Sequence, residues 1–401
     1  MNSKPLRWAA AGDVNAFFGL MLDNVAGLLL AVTLLRVVYE FPTEFALTHM
    51  VPGTALGVLI GDLCFFFIAL RMAARTGRDD ITAMPLGLDT PSTFGMVLFV
   101  LGPAYSAGLA AGLSVEAAAT RTWHIGICCI VLSGIFKLAC AFGSHWVRQM
   151  VPRAGLLGSL AAIALVLIAF IPLVDVLHSP LAGMLSLTIV LLTLVAQKRF
   201  FRLPGALGAM LVGCAAFYAL HYLGQLGFHG FGEVHFEPLV DTQFLPTAWL
   251  AAFNFEWTEA FADARQYFPI VIPFALGTVI GGIDCTESAA SAGDDYPTGQ
   301  VIGVEAVATL LAGLCGGVIQ TTPYIGHPAY KAMGGRSAYT LATALFVGGA
   351  GLIGYFGAFY SLVPKATVFP ILVFIGLEIT AQSYHATPRR HYPALGIACL
   401  P

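Results

Sequence analysis

Residues Met84–Gly95 read MPLGLDTPSTFG, and this stretch decides the fold because it interrupts an apolar run that would otherwise be continuous helix. Pro85 and Pro91 each remove a backbone donor and Gly87 weakens helix, so the chain is expected to unwind around Asp89 and resume as a half-helix. A second stretch, Thr321–Gly335 or TTPYIGHPAYKAMGG, repeats the pattern with Pro323, Gly326 and Pro328. About eleven residues follow Pro91 before Gly102 and about seven follow Pro328, too few to cross ~30 Å of hydrocarbon at ~1.5 Å per residue. Unwound backbone at membrane depth must be buried in protein or line a cavity.

That the setting is a membrane follows from composition. Of 401 residues, 58% are hydrophobic and 10% charged, where a soluble domain carries roughly 25% charged residues; the mean hydropathy is +0.82. Apolar runs recur along the whole length, at 14–35, 51–70, 86–102, 123–143, 154–175, 181–197, 204–223, 268–290, 302–318, 322–335, 338–358 and 367–384. A thirteenth begins near His391, and the chain stops at Pro401 within ALGIACLP, so a truncated C-terminus is expected. The net charge of −3 gives no basis for a nucleic-acid partner. Eight cysteines lie mostly inside apolar runs without CxxC spacing, which reads as small buried hydrophobes rather than a metal or redox site. MNSKPLRW is followed by Gly12 and Asp13 and is no cleavable leader.

Positive charge sets the orientation. Lys4 and Arg7, then Arg71, Arg75 and Arg78, then Arg148 and Arg153, then Lys198, Arg199 and Arg202, and finally Arg389 and Arg390 fall on one side of successive spans. That side is expected to be cytoplasmic, with a cytoplasmic N-terminus and multi-pass insertion in a bacterial inner membrane. The long connection 224–267 then lies outside, and its PTAWLAAFNFEWTEAFADARQYF stretch reads as an amphipathic interfacial helix, or as a lid over a ligand. Seven spans followed by a set that starts on the opposite face is the arithmetic of an inverted repeat. The expected fold is therefore an all-α polytopic membrane protein with an inverted 7+7 repeat and broken third and tenth spans. Residues 1–223 form the first repeat, 224–267 the external connection and 268–401 an incomplete second repeat.

The polar residues at depth are few. In Gly281–Ser291, GGIDCTESAAS, Asp284 and Glu287 are three residues apart and share a helix face with Ser288, while Thr286 lies beside them. A charge in the bilayer costs a few kcal/mol, so these carboxylates are candidates for substrate contact, and Glu287 also for coupling. The bland alternative puts Glu287 at a solvated cytoplasmic mouth beside Asp294 and Asp295. Asp23 and Asn24 sit at the equivalent depth of the first repeat as polar-cavity or coupling candidates. Asp89 and Thr90 occupy the first break, and Tyr324, Gly326 and His327 the second, as candidate substrate ligands. Lys137 is expected to pair with a carboxylate or snorkel, and Glu305 to lie near a cytoplasmic helix end; neither they nor Asp62 and Glu378 are candidate ligands. Two half-helices aimed at one point near the midplane give a donor-rich site of the kind transporters use. A transporter of a small polar solute, coupled to H⁺ or Na⁺ and without cofactor, is the resulting expectation.

MPLGLDTPSTFG, GTVIGGIDCTESA, GLCGGVIQTTPYIGHPAYKAMGGRSAY and FIGLEITAQSYHATPRRHYPAL together resemble the nucleobase/ascorbate transporter superfamily of xanthine/uracil permeases, nearest the adenine/guanine/hypoxanthine branch, over nearly the whole chain. The resemblance implies a nucleobase substrate, fourteen spans, homodimers, a core domain from spans 1–4 and 8–11 and a gate domain from spans 5–7 and 12 onward. It implies substrate contacts at Asp284, with Thr286 and Glu287 beside it, and at the Tyr324–His327 turn. This sequence departs from it where family members often carry Glu and it carries His327. The rival of the same architecture is a sulfate/anion transporter, which two helix N-termini would suit but Asp284, Glu287 and Asp89 would oppose. An intramembrane enzyme pairing Asp23 with Asp284 lacks a localised signature and leaves the half-helices unexplained. A channel lacks a repeated filter-like loop.

Overall fold

The structure, a computed structural model, describes residues 8–143, 164–196, 198, 201, 203–227, 243–324, 326–386 and 388–398. Among them, six helices are long and apolar enough to cross a membrane. The first, α1 (Gly12–Tyr39), ends where Glu40 turns left-handed and returns its N–H to the Arg36 and Leu35 carbonyls. Helix α2 (Val51–Thr76) ends on Gly77 at φ 67°, a conformation that glycine adopts without strain. After the break come α3 (Thr90–Ala110) and α4 (Val115–Phe142). Further on lie α5 (Ile171–His178), α6 (Pro180–Val195) and α7 (Gly205–Gln225). The second half holds α8 (Phe268–Ser291), α9 (Thr298–Leu314), α10 (His327–Ala332), α11 (Ala338–Leu352), α12 (Phe356–Leu362) and α13 (Pro370–Ala386). The loops carrying Arg148, Arg153 and Arg199, the N-terminal Lys4 and Arg7, and part of the expected fifth span lie outside the described residues.

Both breaks fall where the prolines put them, but they are not mere unwinding. Leu86–Leu88 (β1) and Thr321–Pro323 (β2) are extended and pair antiparallel, Leu86 opposite Pro323 and Leu88 opposite Thr321. The helical polytopic fold thus holds, between its two breaks, a short two-stranded ladder. The third span also differs after its break. Its helix runs through Gly102 to Ala110, because a π turn at Val97–Leu101 resets the ladder so that Pro103, which has no N–H, falls in the first turn of the next segment. The tenth span keeps only the six residues of α10 after its break.

The stretch 246–268, expected outside the membrane, is not one amphipathic helix. It is a chain of short turns, Ala248–Asn254, Glu256–Ala260, Phe261–Ala264 and Arg265–Tyr267, broken at Phe255 by a φ of 59°. Trp257 turns inward, its indole N–H bonded to the Ala252 carbonyl.

The chain forms two compact units, Met1–Arg148 with Asp241–Gly357, and Gln149–Val240 with Ala358–Pro401. In the first, α2 packs on α11 and α4 packs on α9. The second span thus meets the eleventh, and the fourth meets the ninth. Replacing each span by its counterpart seven places away exchanges the two pairs, as a two-fold relation between spans 1–4 and 8–11 requires. The second unit packs α6 on α7, with the Ser186 hydroxyl bonded to the Thr367 carbonyl.

Close approach of backbones makes small residues obligatory in the first unit. A Cβ on Gly53 would lie 2.3 Å from the Cys315 carbonyl oxygen and the Gly317 nitrogen, whereas one on Gly303 would meet nothing. Gly53→Ala is expected to destabilise the protein by ~1–3 kcal/mol through overpacking, read as a lower melting temperature in detergent, while Gly303→Ala leaves it unchanged or raises it.

Candidate functional site

A strand three residues long, set among helices, presents backbone groups on its outer edge that no neighbouring strand satisfies. At membrane depth no bulk water takes their place, so side chains must. The inner edge is closed by the ladder, extended by the Tyr324 N–H to the Pro85 carbonyl at 2.8 Å and the Asp89 N–H to the Gln320 carbonyl at 3.1 Å. On the outer edge of β1, the Leu86 N–H donates to Asp62 Oδ1 (3.1 Å) and the Leu88 N–H to Asn24 Oδ1 (3.1 Å). The Leu86 carbonyl accepts from Asn24 Nδ2 at 3.5 Å and the Leu88 carbonyl from the Tyr324 hydroxyl at 3.1 Å. On β2, the Thr321 N–H donates to the Thr309 hydroxyl (3.2 Å) and its carbonyl accepts from Lys137 Nζ (2.9 Å). Pro323 has no N–H to satisfy, and its carbonyl accepts from the Cys285 thiol at 3.3 Å.

Lys137 pairs with a carboxylate, one of its two expected roles, and the partner is Glu305, which was expected near a cytoplasmic helix end. Both are fully buried and form an ion pair at 2.8 Å, which keeps the ammonium that holds β2 electrically compensated. Glu305 therefore does not sit at a helix mouth. Asn24, expected as a lining group, is spent on the edge of β1. Gly87 lies under Tyr324, because a Cβ there would fall 2.3 Å from the tyrosine oxygen.

The acidic helix α8 separates its residues by face. Gly282, Cys285, Thr286 and Ala289 are buried, and Cys285 meets β2. Asp284 and Glu287, rotated from that face by the ~100° per residue of a helix, lie on its opposite side and are half-buried. They share a face, and it differs from the one on which Cys285 meets β2. The Thr286 hydroxyl bonds to the Ile283 carbonyl and approaches Thr298 at 3.2 Å. At the start of α3, Asp89 caps the helix, its Oδ2 accepting from the Ser92 N–H at 2.7 Å, and Thr90 is buried beside it.

His327 and Asp294 form a second cluster. Asp294 is fully buried and accepts from Lys331 Nζ (2.6 Å), Arg78 Nη2 (3.1 Å) and the Thr82 N–H (3.0 Å). His327 Nε2 lies 3.3 Å from Asp294 Oδ2 and 3.1 Å from the Thr82 carbonyl. Two acceptors around one ring nitrogen require it to carry the proton. Histidine 327 is thereby tied to a loop carboxylate, and Asp294 is not the solvated neighbour expected for Glu287. Burial pushes the Asp294 carboxyl up, but hydrogen bonds from His327, Lys331 and the Thr82 N–H more than offset this and hold it below the usual carboxylate range. In the same loop pair, the Arg78 guanidinium holds the Asp80 carboxyl down to about 2.

No protein-family model matches the sequence, and comparison with curated proteins finds no match. Solved structures do match. The transmembrane domain of BicA, a cyanobacterial bicarbonate transporter, aligns with a TM-score of 0.59 at 14% identity, over 97% of this chain and 93% of that one. SLC26A9 aligns with a TM-score of 0.59 at 10% identity, over 97% of this chain and 60% of that one. At such identities the likeness is one of fold: a multi-pass helical membrane fold shared with these two proteins. It overturns the resemblance to the nucleobase/ascorbate transporter superfamily. The two proline breaks among the motifs that carried that resemblance build the strand pair and do not by themselves select a substrate.

Two outcomes follow from the buried charges. Lys137→Met strands Glu305 and frees the Thr321 carbonyl, with an expected loss of ~3–5 kcal/mol; adding Glu305→Gln should restore much of the melting temperature, which a double-mutant cycle measures. Asp294, whose carboxyl is depressed in the fold, stabilises the protein above the unfolded value near ~3.9, and that contribution disappears as pH falls through the lower folded value. Acid melting curves in detergent should steepen below pH ~4, and less so in Asp294→Asn.

Proposed function

We propose that this protein is a secondary transporter that carries a small inorganic anion, of the bicarbonate or sulfate type, together with a coupling cation, H⁺ or Na⁺. The fold shared with BicA supports transport of this kind. The observation that carries the anion reading is at the first break. The 21-residue helix α3 opens at Thr90 with a carboxylate already on its first-turn donors, Asp89 on the Ser92 N–H. A helix N-terminus attracts negative charge, and here the chain supplies its own. A substrate anion binds by competing with that tethered carboxylate.

The acidic surroundings give the reason for a coupling cation. Asp23 and Asp89 both act electrostatically on Tyr324. An anion entering their field is repelled unless positive charge enters with it. The orientation that fits the positive-inside rule puts the Arg78, Asp294 and Lys331 cluster on the cytoplasmic side.

Purified protein in liposomes tests this directly with labelled bicarbonate and sulfate. Saturable uptake that collapses when the cation gradient is dissipated is expected. Asp89→Ser retains a good N-cap without the charge, so the anion's KM should fall several-fold. Wild-type uptake of neither anion, or a KM that rises in Asp89→Ser, refutes the anion reading.

A further inference from the structure

The Tyr324 hydroxyl has one proton and two acceptors. It donates to the Leu88 carbonyl at 3.1 Å, closing the outer edge of β1, and it also lies within hydrogen-bonding reach of the Asp23 carboxylate. Asp23 Oδ1 is buried with no hydrogen-bond partner among the described residues. The tyrosine oxygen lies over Gly87, so close that a Cβ there would be 2.3 Å away. With Asp23 ionised, one hydroxyl proton must serve both a carboxylate and a strand carbonyl, and whichever acceptor loses is left unsatisfied at depth. With Asp23 protonated, the conflict vanishes: the carboxyl O–H donates to the tyrosine oxygen, and the tyrosine O–H donates to Leu88.

We propose that Asp23 and Tyr324 form the proton-coupling relay of this transporter, in which one proton bound at Asp23 closes the edge of β1. The idea rests on the transport reading above and specifies its cation as H⁺. In the binding step one proton from solution adds to the Asp23 carboxylate, forming its O–H, and the tyrosine proton commits to the Leu88 carbonyl. Release reverses both transfers, so no other group changes its proton count. The titratable groups facing the pair are Tyr330, which feels Asp23 from α10, and Asp89 and Asp62, which act on Tyr324 from the start of α3 and from α2. Asp62 is already engaged by the Leu86 N–H, and Asp89 by the Ser92 N–H. Tyr324 is a positioning residue, acting on the strand; Asp23 is the proton site.

Two measurements on the full-length chain test the relay. Infrared difference spectra across a pH step, without substrate, should show a protonated-carboxyl band that Asp23→Asn abolishes and a tyrosine ring band that Tyr324→Phe abolishes. In liposomes, wild-type uptake should change by up to about tenfold per pH unit where the proton binds. Asp23→Asn, neutral at every pH, should flatten that profile, and Tyr324→Phe should shift its midpoint; both variants should elute as the wild type does, and Asp23→Glu should restore the slope. A carboxyl band or pH slope that survives in well-folded Asp23→Asn overturns the relay. If neither anion is transported by the wild type yet the infrared bands behave as expected, the anion reading fails and the proton relay stands.

Discussion

The structure depends on one constraint: two three-residue strands lie among membrane helices, and their outer edges must be satisfied without water. An unsatisfied backbone group in hydrocarbon costs several kcal/mol, so the seven outward groups of β1 and β2 dictate which polar side chains the surrounding helices carry. Asp62 from α2, Asn24 from α1, Lys137 from α4, Cys285 from α8 and Thr309 from α9 each serve one or two of them. Glu305 follows from Lys137, since a buried ammonium needs a counter-charge. Pro323 reduces the demand by lacking a donor. Asp62, Lys137 and Glu305 are therefore explained by backbone geometry before any substrate is considered.

That attribution sharpens what is left. Charged residues in spans are functional candidates by default, yet Asp62, Lys137 and Glu305 carry structural contacts that account for them. Asp89 partly escapes, since its cap uses one oxygen. Asp23 Oδ1 is buried and unmatched among the described residues, as is Asp62 Oδ2, but Asp62 holds a strand N–H with its other oxygen. Asp284 and Glu287 lie on a face of α8 other than the one that carries Cys285. The polar groups thus divide into those holding the sheet and those around it, and chemistry falls to the second group.

Much of the fold was legible because proline acts locally. Pro85 and Pro91, and Pro323 and Pro328, specify both breaks whatever surrounds them, and apolar runs specify the helices. Strand pairing was not legible, since it joins Leu86 to Pro323 across more than two hundred residues and nothing in either tripeptide names its partner. The same limit hid the Lys137–Glu305 pair, although two charges in apolar runs signalled that partners must exist. His327 shows the opposite failure: a histidine in a break looks like a ligand, and only the fold brings Asp294 to it. Substrate was least legible, because the motifs that suggested nucleobases are the ones that any chain with this strand pair needs.

Every side chain that closes the strand edges comes from the first compact unit. Helices α1, α2, α4, α8 and α9 belong to it, as do both strands and the cluster around Asp294. The strand pair, its buried ion pair and the Asp89 cap therefore hold their geometry through contacts internal to that unit. Under the transport reading proposed above, alternating access would need a site that keeps its shape while its exposure changes. Backbone groups fixed by buried partners meet that need better than flexible side chains would, because moving any one strand residue would strip a hydrogen bond with no water to replace it. The hydroxyl of Tyr324 is the exception. In the proposed relay its single proton faces two acceptors, so its contact with the Leu88 carbonyl would depend on the charge of Asp23, and a proton could alter the sheet without dismantling the unit.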